Sequence, residues 1–203
     1  MLQNNKKEGI AMTNETKQAA QAVTAKADSK SIMKAGSNIQ IMVVTAMFIA
    51  LTYVITTYIN VRIPFLAANG GLVHLGNVPV FLAAVLYGKR TGALTGAIGL
   101  GLFDLTNGWI AWAPFTFVIC GLIGLAYGWI VEKNDGLLGQ IAAVLAAVVI
   151  KIAGYYIAEG LIYGNWVAPA ASIPGNIVQI VLAGIIAIPI TIALKKAVVA
   201  YHN

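Results

Sequence analysis

Long apolar stretches separated by short polar segments occupy most of the chain after residue 37. They lie at residues 39–59, 75–88, 90–106, 112–131, 137–162 and 173–195. An apolar helix of about 20 residues crosses a hydrocarbon core roughly 30 Å thick, and a helix satisfies its own backbone hydrogen bonds there. The pattern therefore predicts an all-α fold, a polytopic membrane protein with a bundle of six transmembrane helices. The second and third segments are short or interrupted by glycine, and we expect a tight helical hairpin that turns at Gly88-Lys89-Arg90.

Composition agrees with a membrane protein. Of 203 residues, 59% are hydrophobic and 10% are charged, whereas soluble domains carry about 25% charged residues. The one cysteine, Cys120, excludes an intramolecular disulfide framework. The formal net charge is +6, but the basic residues sit where membrane topology places them, so no nucleic-acid partner is expected.

Residues 1–37 form a polar segment without aromatic residues. We expect a disordered cytoplasmic tail there, followed by a transmembrane substrate-binding domain at residues 38–203. The first apolar run starts too late, and is too long, for a cleavable signal peptide. Met12 is an alternative start of the chain.

The basic residues predict the orientation. With the N-terminus inside, eleven of the thirteen Lys and Arg residues lie on the cytoplasmic side, Arg62 lies outside, and Lys151 lies within the membrane. The cytoplasmic set is Lys6, Lys7, Lys17, Lys26, Lys30, Lys34, Lys89, Arg90, Lys133, Lys195 and Lys196. Positive residues concentrate on the cytoplasmic side, so both termini are expected there.

Three charged residues, Asp104, Lys151 and Glu159, interrupt the apolar stretches. A charge inside a membrane span costs about 2.5–3.5 kcal/mol on insertion scales, and it usually faces a partner or a functional cavity. At about 1.5 Å of rise per residue, Asp104 and Lys151 both lie about 21 Å from the cytoplasmic end of their helices. Glu159 lies farther out and is expected to line only the mouth of a pocket.

Other polar and aromatic residues reach the same outer level on neighbouring helices. Lys151, Tyr155 and Glu159 are spaced four residues apart and share one helix face. An outer pocket for a small, flat, polar ring compound is therefore predicted. Its substrate-binding candidates are His74, Asp104, Trp109, Trp112, Lys151, Tyr155, Glu159, Asn176 and Gln179.

Six of these candidates also have a purely structural interpretation. Asp104 and Lys151 would form an ion pair between helices, and Trp109 and Trp112 would anchor helix ends at the membrane interface. His74 would cap or pack. The remaining structural alternative is that Asn176, after Pro174 and Gly175, starts the last helix.

Small residues recur at helical spacing. Ala46 and Ala50 form a small-xxx-small pair on the first helix, a pattern that permits close helix contact, either within the bundle or with a partner. Two glycine sets, expected to serve packing within the bundle, are Gly92, Gly96 and Gly99, and Gly121, Gly124 and Gly128. The outer loops at 60–74 and 163–174 are apolar or aromatic, a pattern typical of loops that cap a pocket. Anchoring of helix ends at the membrane interface accounts for Tyr163 and Trp166 equally well.

Motifs for catalysis and for energy conversion are missing. The sequence has no phosphate-binding loop, no HExxH or GxSxG motif and no Cys/His metal spacing, so neither an enzyme nor a metal or cofactor is expected. Such a chain fits a binding subunit powered by other proteins. A self-sufficient secondary transporter, in which Asp104, Lys151 and Glu159 relay protons, is the alternative.

Several motifs between Val73 and Gly128 resemble the S components of energy-coupling factor (ECF) vitamin transporters. They are HLGN at the start of the second helix, the Gly88-Lys89 turn, a Gly-rich third helix that ends in Asp104-Leu105, and WAPF at the start of the fourth helix. The likeness covers about 165 residues and is greatest to the riboflavin-transporter-like branch, with its hydroxymethylpyrimidine and vitamin B6 relatives.

The resemblance implies a substrate-capturing subunit that works with a transmembrane coupling (T) subunit and two ABC ATPase subunits. It implies that Ala46 and Ala50 meet the coupling subunit, and that the vitamin sits near the outer face. Asn77 stands where many relatives have Asp, and it joins the substrate-binding candidates on that ground. A lysine near an aspartate favours hydroxymethylpyrimidine or a vitamin B6 compound. Riboflavin would need a roomier pocket.

Overall fold

The structure is a computed structural model that describes residues 38–62 and 72–202, with side chains as far as Leu194. The predicted tail, the tip of the first outer loop and the side chains of Lys195 and Lys196 lie outside the described residues. Contacts divide the chain into Met1–Val43, whose described residues are helical, and Val44–Asn203, which holds all the side chains discussed below.

Helices make up nearly all of the described part. They are α1 (Asn38–Tyr58), α2 (Asn77–Tyr87), α3 (Lys89–Leu94), α4 (Gly101–Thr106), α5 (Ala113–Lys133), α6 (Leu137–Tyr163) and α7 (Ile173–His202), with a π-helical segment at Thr95–Leu100 and a 3-10 helix at Ala168–Ser172. Since α3, the π segment and α4 are continuous, six helical stretches result, as predicted. Four are long and apolar enough to cross a membrane.

A short antiparallel β-hairpin joins α1 to α2. Strand β1 (Asn60–Arg62) pairs with β2 (Leu72–His74), with Asn60 opposite His74 and Arg62 opposite Leu72. The sequence predicted only an apolar loop here, because strands of three residues are too short to show an alternating pattern. The hairpin carries Leu72 and His74 to the end of the bundle opposite the Gly88 turn.

The core packs α2 against α5 and α7, and α6 in turn packs against α5 and α7. The rings of Phe81 and Tyr127 stack with centroids 4.2 Å apart, and both side chains are fully buried. Alanines at 143, 147, 183 and 187 let α6 and α7 approach closely. The outside is apolar instead of charged, with Leu138 76% and Val149 66% exposed, as expected for a surface that meets lipid.

The glycines predicted to pack do so within the bundle. A Cβ on Gly124 would collide with the Gly92 carbonyl, and one on Gly96 would collide with the Cys120 carbonyl. These contacts bring α5 directly against the backbone of α3 and of the π segment. The π segment widens the helix immediately before α4, and such segments often occur at functional sites.

Candidate binding cavity

A cavity opens between β2, α4, the turn that follows it, α6 and α7. Its solvent-accessible volume is about 70 Å³, and ten residues line it: Leu72, His74, Asp104, Trp109, Trp112, Lys151, Tyr155, Glu159, Asn176 and Gln179. Nine of these ten are candidates named from the sequence; Leu72 is the addition. Asn77 is the one candidate that does not line the cavity.

Asp104 is held by α5 and not by Lys151. The Thr116 hydroxyl donates a hydrogen bond to Asp104 Oδ2. No ion pair joins Asp104 to Lys151 within 4.0 Å among the described residues. The alternative of a direct structural pair is therefore wrong for this structure, and Oδ1 has no hydrogen-bond partner in the described part of the chain.

Lys151 is 2% exposed and lies among the cavity residues. Its Nζ sits 5.0 Å from the centroid of the Tyr155 ring one helical turn away, a cation–π contact. Across residues 38–62 and 72–194 it makes no hydrogen bond or ion pair. A buried ammonium without a counter-ion is costly, so this side chain is suited to an acceptor or anionic group of a ligand.

Aromatic rings form one side of the cavity. Trp109 and Trp112 meet edge to face with centroids 5.3 Å apart, and Tyr163 packs on Trp112 at 6.0 Å. The Arg62 guanidinium lies 5.6 Å from the Trp109 centroid. Trp112 Nε1 is buried and finds no acceptor in the described residues, so this N–H is left without a partner beside the cavity.

His74 both packs and lines the cavity. Its Nδ1 accepts a hydrogen bond from the Gly76 backbone N–H at 3.1 Å, and its ring lies 6.1 Å from that of Phe103. Burial, reinforced by the charge of Lys151, holds the pKa of His74 well below its ordinary value. The ring is therefore neutral at pH 7, with Nδ1 as acceptor and the proton on Nε2.

Glu159 lies deeper than the expectation of a mouth residue. It is 1% exposed, and the Ser172 hydroxyl donates to its Oε2 at 2.6 Å. The rise along the helix predicts how far Glu159 lies along the bundle, but it does not predict that Glu159 is buried. The burial arises because the 3-10 helix places Ser172 against it. No residue of 163–172 lines the cavity. That loop instead contacts a residue of the cavity wall, Glu159, through Ser172.

Polar amides complete the α7 side. Gln179 donates from Nε2 to the Leu72 carbonyl at 3.2 Å, which ties α7 to β2. Asn77 is fully buried behind Gln179, and its Nδ2 lies 3.5 Å from Gln179 Oε1. Asn176 lies in the first turn of α7 and faces the cavity. Asn77 therefore contacts the cavity residue Gln179 without lining the cavity itself.

Two further observations concern partners and metals. Ala46 and Ala50 are exposed on α1, beside Met47, which is 65% exposed. Within the described residues, no group of three or more His, Cys, Asp or Glu is arranged to hold a metal ion.

Comparison with known proteins gives consistent relatives. The family model described as "ECF-type riboflavin transporter, S component" matches residues 36–196. The thiamine precursor transporter HmpT of Lactococcus lactis subsp. cremoris is 31% identical over 155 residues, which are 74% of this chain and 84% of that protein. An uncharacterized protein of Pyrococcus woesei is 32% identical over 145 residues, 71% of this chain and 96% of the other.

A solved structure shares the fold. The S component of a bacterial ECF transporter superposes with a TM-score of 0.60 at 21% identity, covering 79% of this chain and 98% of the other.

Proposed function

The chain belongs to the family of ECF-type riboflavin transporter S components, vitamin-binding membrane subunits, and we propose that it captures a small single-ring vitamin precursor, with hydroxymethylpyrimidine favoured. Family membership bears out the resemblance noted in the motifs. The choice of ligand rests on the cavity and on the likeness to a thiamine precursor transporter.

One observation carries the proposal: the cavity combines opposite charges and flat walls. Asp104 Oδ1 and Lys151 Nζ have no hydrogen-bond partner within the described residues, and Trp109, Trp112 and Tyr155 stand beside them. An aminopyrimidine offers an amino donor for the carboxylate, ring nitrogens as acceptors for the ammonium, and two faces for stacking.

Size supports a single ring. A cavity of about 70 Å³ holds several water molecules, since one water needs about 10–15 Å³ by this measure. A three-ring isoalloxazine would have to displace the tryptophans. A vitamin B6 compound is similar in size to hydroxymethylpyrimidine and is the nearest competitor.

The binding test uses the purified full chain in detergent. Trp109 and Trp112 face the cavity, so quenching of tryptophan fluorescence reports occupancy of the site. Hydroxymethylpyrimidine, pyridoxine, thiamine and riboflavin would be titrated, with isothermal calorimetry as a second readout. We expect hydroxymethylpyrimidine to bind most tightly, and riboflavin not to bind.

Two variants test the residue roles. Asp104→Asn and Lys151→Met should each weaken binding by about 10–100-fold, because a hydrogen bond to a charged group contributes about 1.5–3 kcal/mol. Asp135→Asn, at an exposed position between α5 and α6, is the control and should bind like the wild type. Unchanged affinity in both cavity variants would refute this site; tightest binding of another vitamin would refute the choice of ligand.

The proposed function also includes delivery of the bound ligand to the cytoplasm. The ligand is captured from outside, both termini are cytoplasmic, and a transmembrane coupling subunit with two ATPases provides the energy for import. The position of the cavity at the end of the bundle opposite the Gly88 turn supports this orientation, as does the excess of positive residues on the other side.

A further inference from the structure

Three hydrogen-bonding side chains from two helices lie behind Asp104. The Thr116 hydroxyl contacts both Asp104 Oδ2 and the Tyr155 hydroxyl, the latter at 2.9 Å. Tyr155 in turn lies 3.7 Å from Cys120 Sγ. Thr116 and Cys120 are both buried, and neither is among the residues that line the cavity. Thr116 was not a candidate from the sequence, because a threonine in an apolar helix usually bonds its own backbone.

The direction of these hydrogen bonds follows from the number of hydrogens that each group can donate. A hydroxyl has one hydrogen, and that of Thr116 is donated to the Asp104 carboxylate. Thr116 must therefore accept from Tyr155. The Tyr155 hydrogen is then used, so Cys120 donates its weaker S–H to the Tyr155 oxygen. The hydrogen bonds are therefore donated in one direction, from Cys120 through Tyr155 and Thr116 to the Asp104 carboxylate.

We propose that Thr116 and Tyr155 are positioning residues that fix Asp104 as a hydrogen-bond acceptor, so that the cavity selects ring ligands that bring an N–H donor to Asp104 Oδ1. This inference rests on the proposed function. A carboxylate held on Oδ2 keeps Oδ1 aimed at the cavity. Without the Thr116 hydroxyl, Asp104 would be free to rotate or to pick up a proton, and its preference for donors would fall.

The test compares two probes that differ in one donor. They are 4-amino-5-hydroxymethyl-2-methylpyrimidine and the same ring without the amino group, 5-hydroxymethyl-2-methylpyrimidine. Dissociation constants are measured by calorimetry on the full chain in detergent. The wild type should prefer the amino probe by about 10–100-fold, since the lost donor leaves a charged acceptor unpaired.

Thr116→Val removes the hydroxyl with little change of shape. We expect its affinity for the amino probe to fall about tenfold, while its affinity for the probe without the amino group changes less than about threefold. The preference between the probes therefore collapses. Thr116→Ser keeps the hydroxyl, so it should retain the wild-type preference for the amino probe. A purely structural role would weaken both probes equally and leave the ratio unchanged.

Two further variants keep the test decisive. Thr91→Val is the matched control: Thr91 is equally buried, but its hydroxyl bonds the Tyr87 carbonyl, and it should keep the wild-type ratio. If Thr116→Val fails to fold, Tyr155→Phe interrupts the same chain while keeping the ring, and it should lower the ratio about threefold.

The results separate the two proposals. A wild-type preference that survives in Thr116→Val, or in Tyr155→Phe where the valine variant does not fold, overturns the positioning role and leaves the proposed function standing. A wild type that binds neither probe overturns the proposed function, and this inference with it. A collapsed ratio that Thr116→Ser rescues supports both.

Discussion

Lys151 shows how one residue can carry information about function. It is almost fully buried within a membrane span, and its ammonium has an aromatic ring beside it in place of a carboxylate. Placing such a charge in the membrane costs about 2.5–3.5 kcal/mol on insertion scales. The bundle tolerates this cost without the ion pair that would relieve it, so the compensating group is expected to arrive with the ligand.

His74 leads to a prediction about pH. Its pKa is held well below 6.5 in the folded chain, so the folded state binds fewer protons than the unfolded state once the pH falls below about 6.5. Stability provided by neutral His74 is complete above that pH and is lost as the pH falls. The free energy of unfolding should therefore fall by at most about 1.4 kcal/mol per pH unit from this one group. The thermal midpoint measured without ligand should drop accordingly between pH 6.5 and pH 5.

The matched variant is His74→Asn, whose amide oxygen can still accept from the Gly76 N–H. Asp104, Lys151 and Glu159 line the same cavity and titrate in both proteins, so the difference between the two pH profiles isolates His74. The variant should lose less stability over this range than the wild type. Parallel profiles would show that His74 does not contribute.

Much of the site could be predicted at this scale because polar residues in apolar helices are rare. Asp104, Lys151 and Glu159 were conspicuous as charges, and helical rise placed them and their neighbours at one level. Thr116 and Leu72 were not conspicuous, since threonine and leucine are ordinary in membrane segments. Partners such as Thr116 with Asp104 depend on how helices rotate against one another, and spacing along one helix does not fix that.

At the scale of elements, length and hydropathy predicted the long helices well, including α6 at Leu137–Tyr163 against 137–162. Two features escaped. The π segment at Thr95–Leu100 reads as ordinary helix, because one extra residue per turn leaves no mark on composition. The β-hairpin is fixed by pairing across a loop that separates its strands, which is a tertiary effect.

Close contact between α3 and α5 predicts a sharp difference between two glycines on one helix face. A Cβ on Gly124 would collide with the Gly92 carbonyl, which is backbone and cannot move aside, whereas a Cβ on Gly121 would lie 3.3 Å from Ala97 Cβ. Gly124→Ala should destabilise by about 1–3 kcal/mol, as overpacking usually does. Gly121→Ala should be near neutral, because the higher helix propensity of alanine, about 1 kcal/mol, offsets the tight contact with Ala97.

Thermal unfolding in detergent, followed by size-exclusion chromatography of the heated samples, measures both variants. The Gly124→Ala midpoint should fall well below that of Gly121→Ala. Equal midpoints would mean that α3 and α5 are not in backbone contact. Ligand affinity at low temperature should persist in Gly121→Ala, because Ala97 and Gly121 do not line the cavity.

At the scale of the whole molecule, the exposed surface is as informative as the cavity. Large apolar side chains cover it, as lipid requires, and the four long spans identify a multi-pass membrane protein. Among these spans α1 is the least covered by the rest of the chain, with 17% of its apolar window buried. A helix with so little of its surface covered is available to pack against a partner subunit as well as to face lipid.

The exposed small residues of α1 give the prediction at this scale. If Ala46 and Ala50 are where the coupling subunit packs, a bulky ring there will hold the helices apart. Ala46→Trp and Ala50→Trp should therefore leave vitamin affinity within about twofold of the wild type but reduce co-purification with the coupling subunit and ATPases at least about tenfold. Ala142→Trp, at an exposed position of α6, is the control and should co-purify normally. Full recovery of the complex with both α1 variants would place the docking surface elsewhere, and equal loss with the α6 control would show a general effect of bulk on the lipid-facing surface.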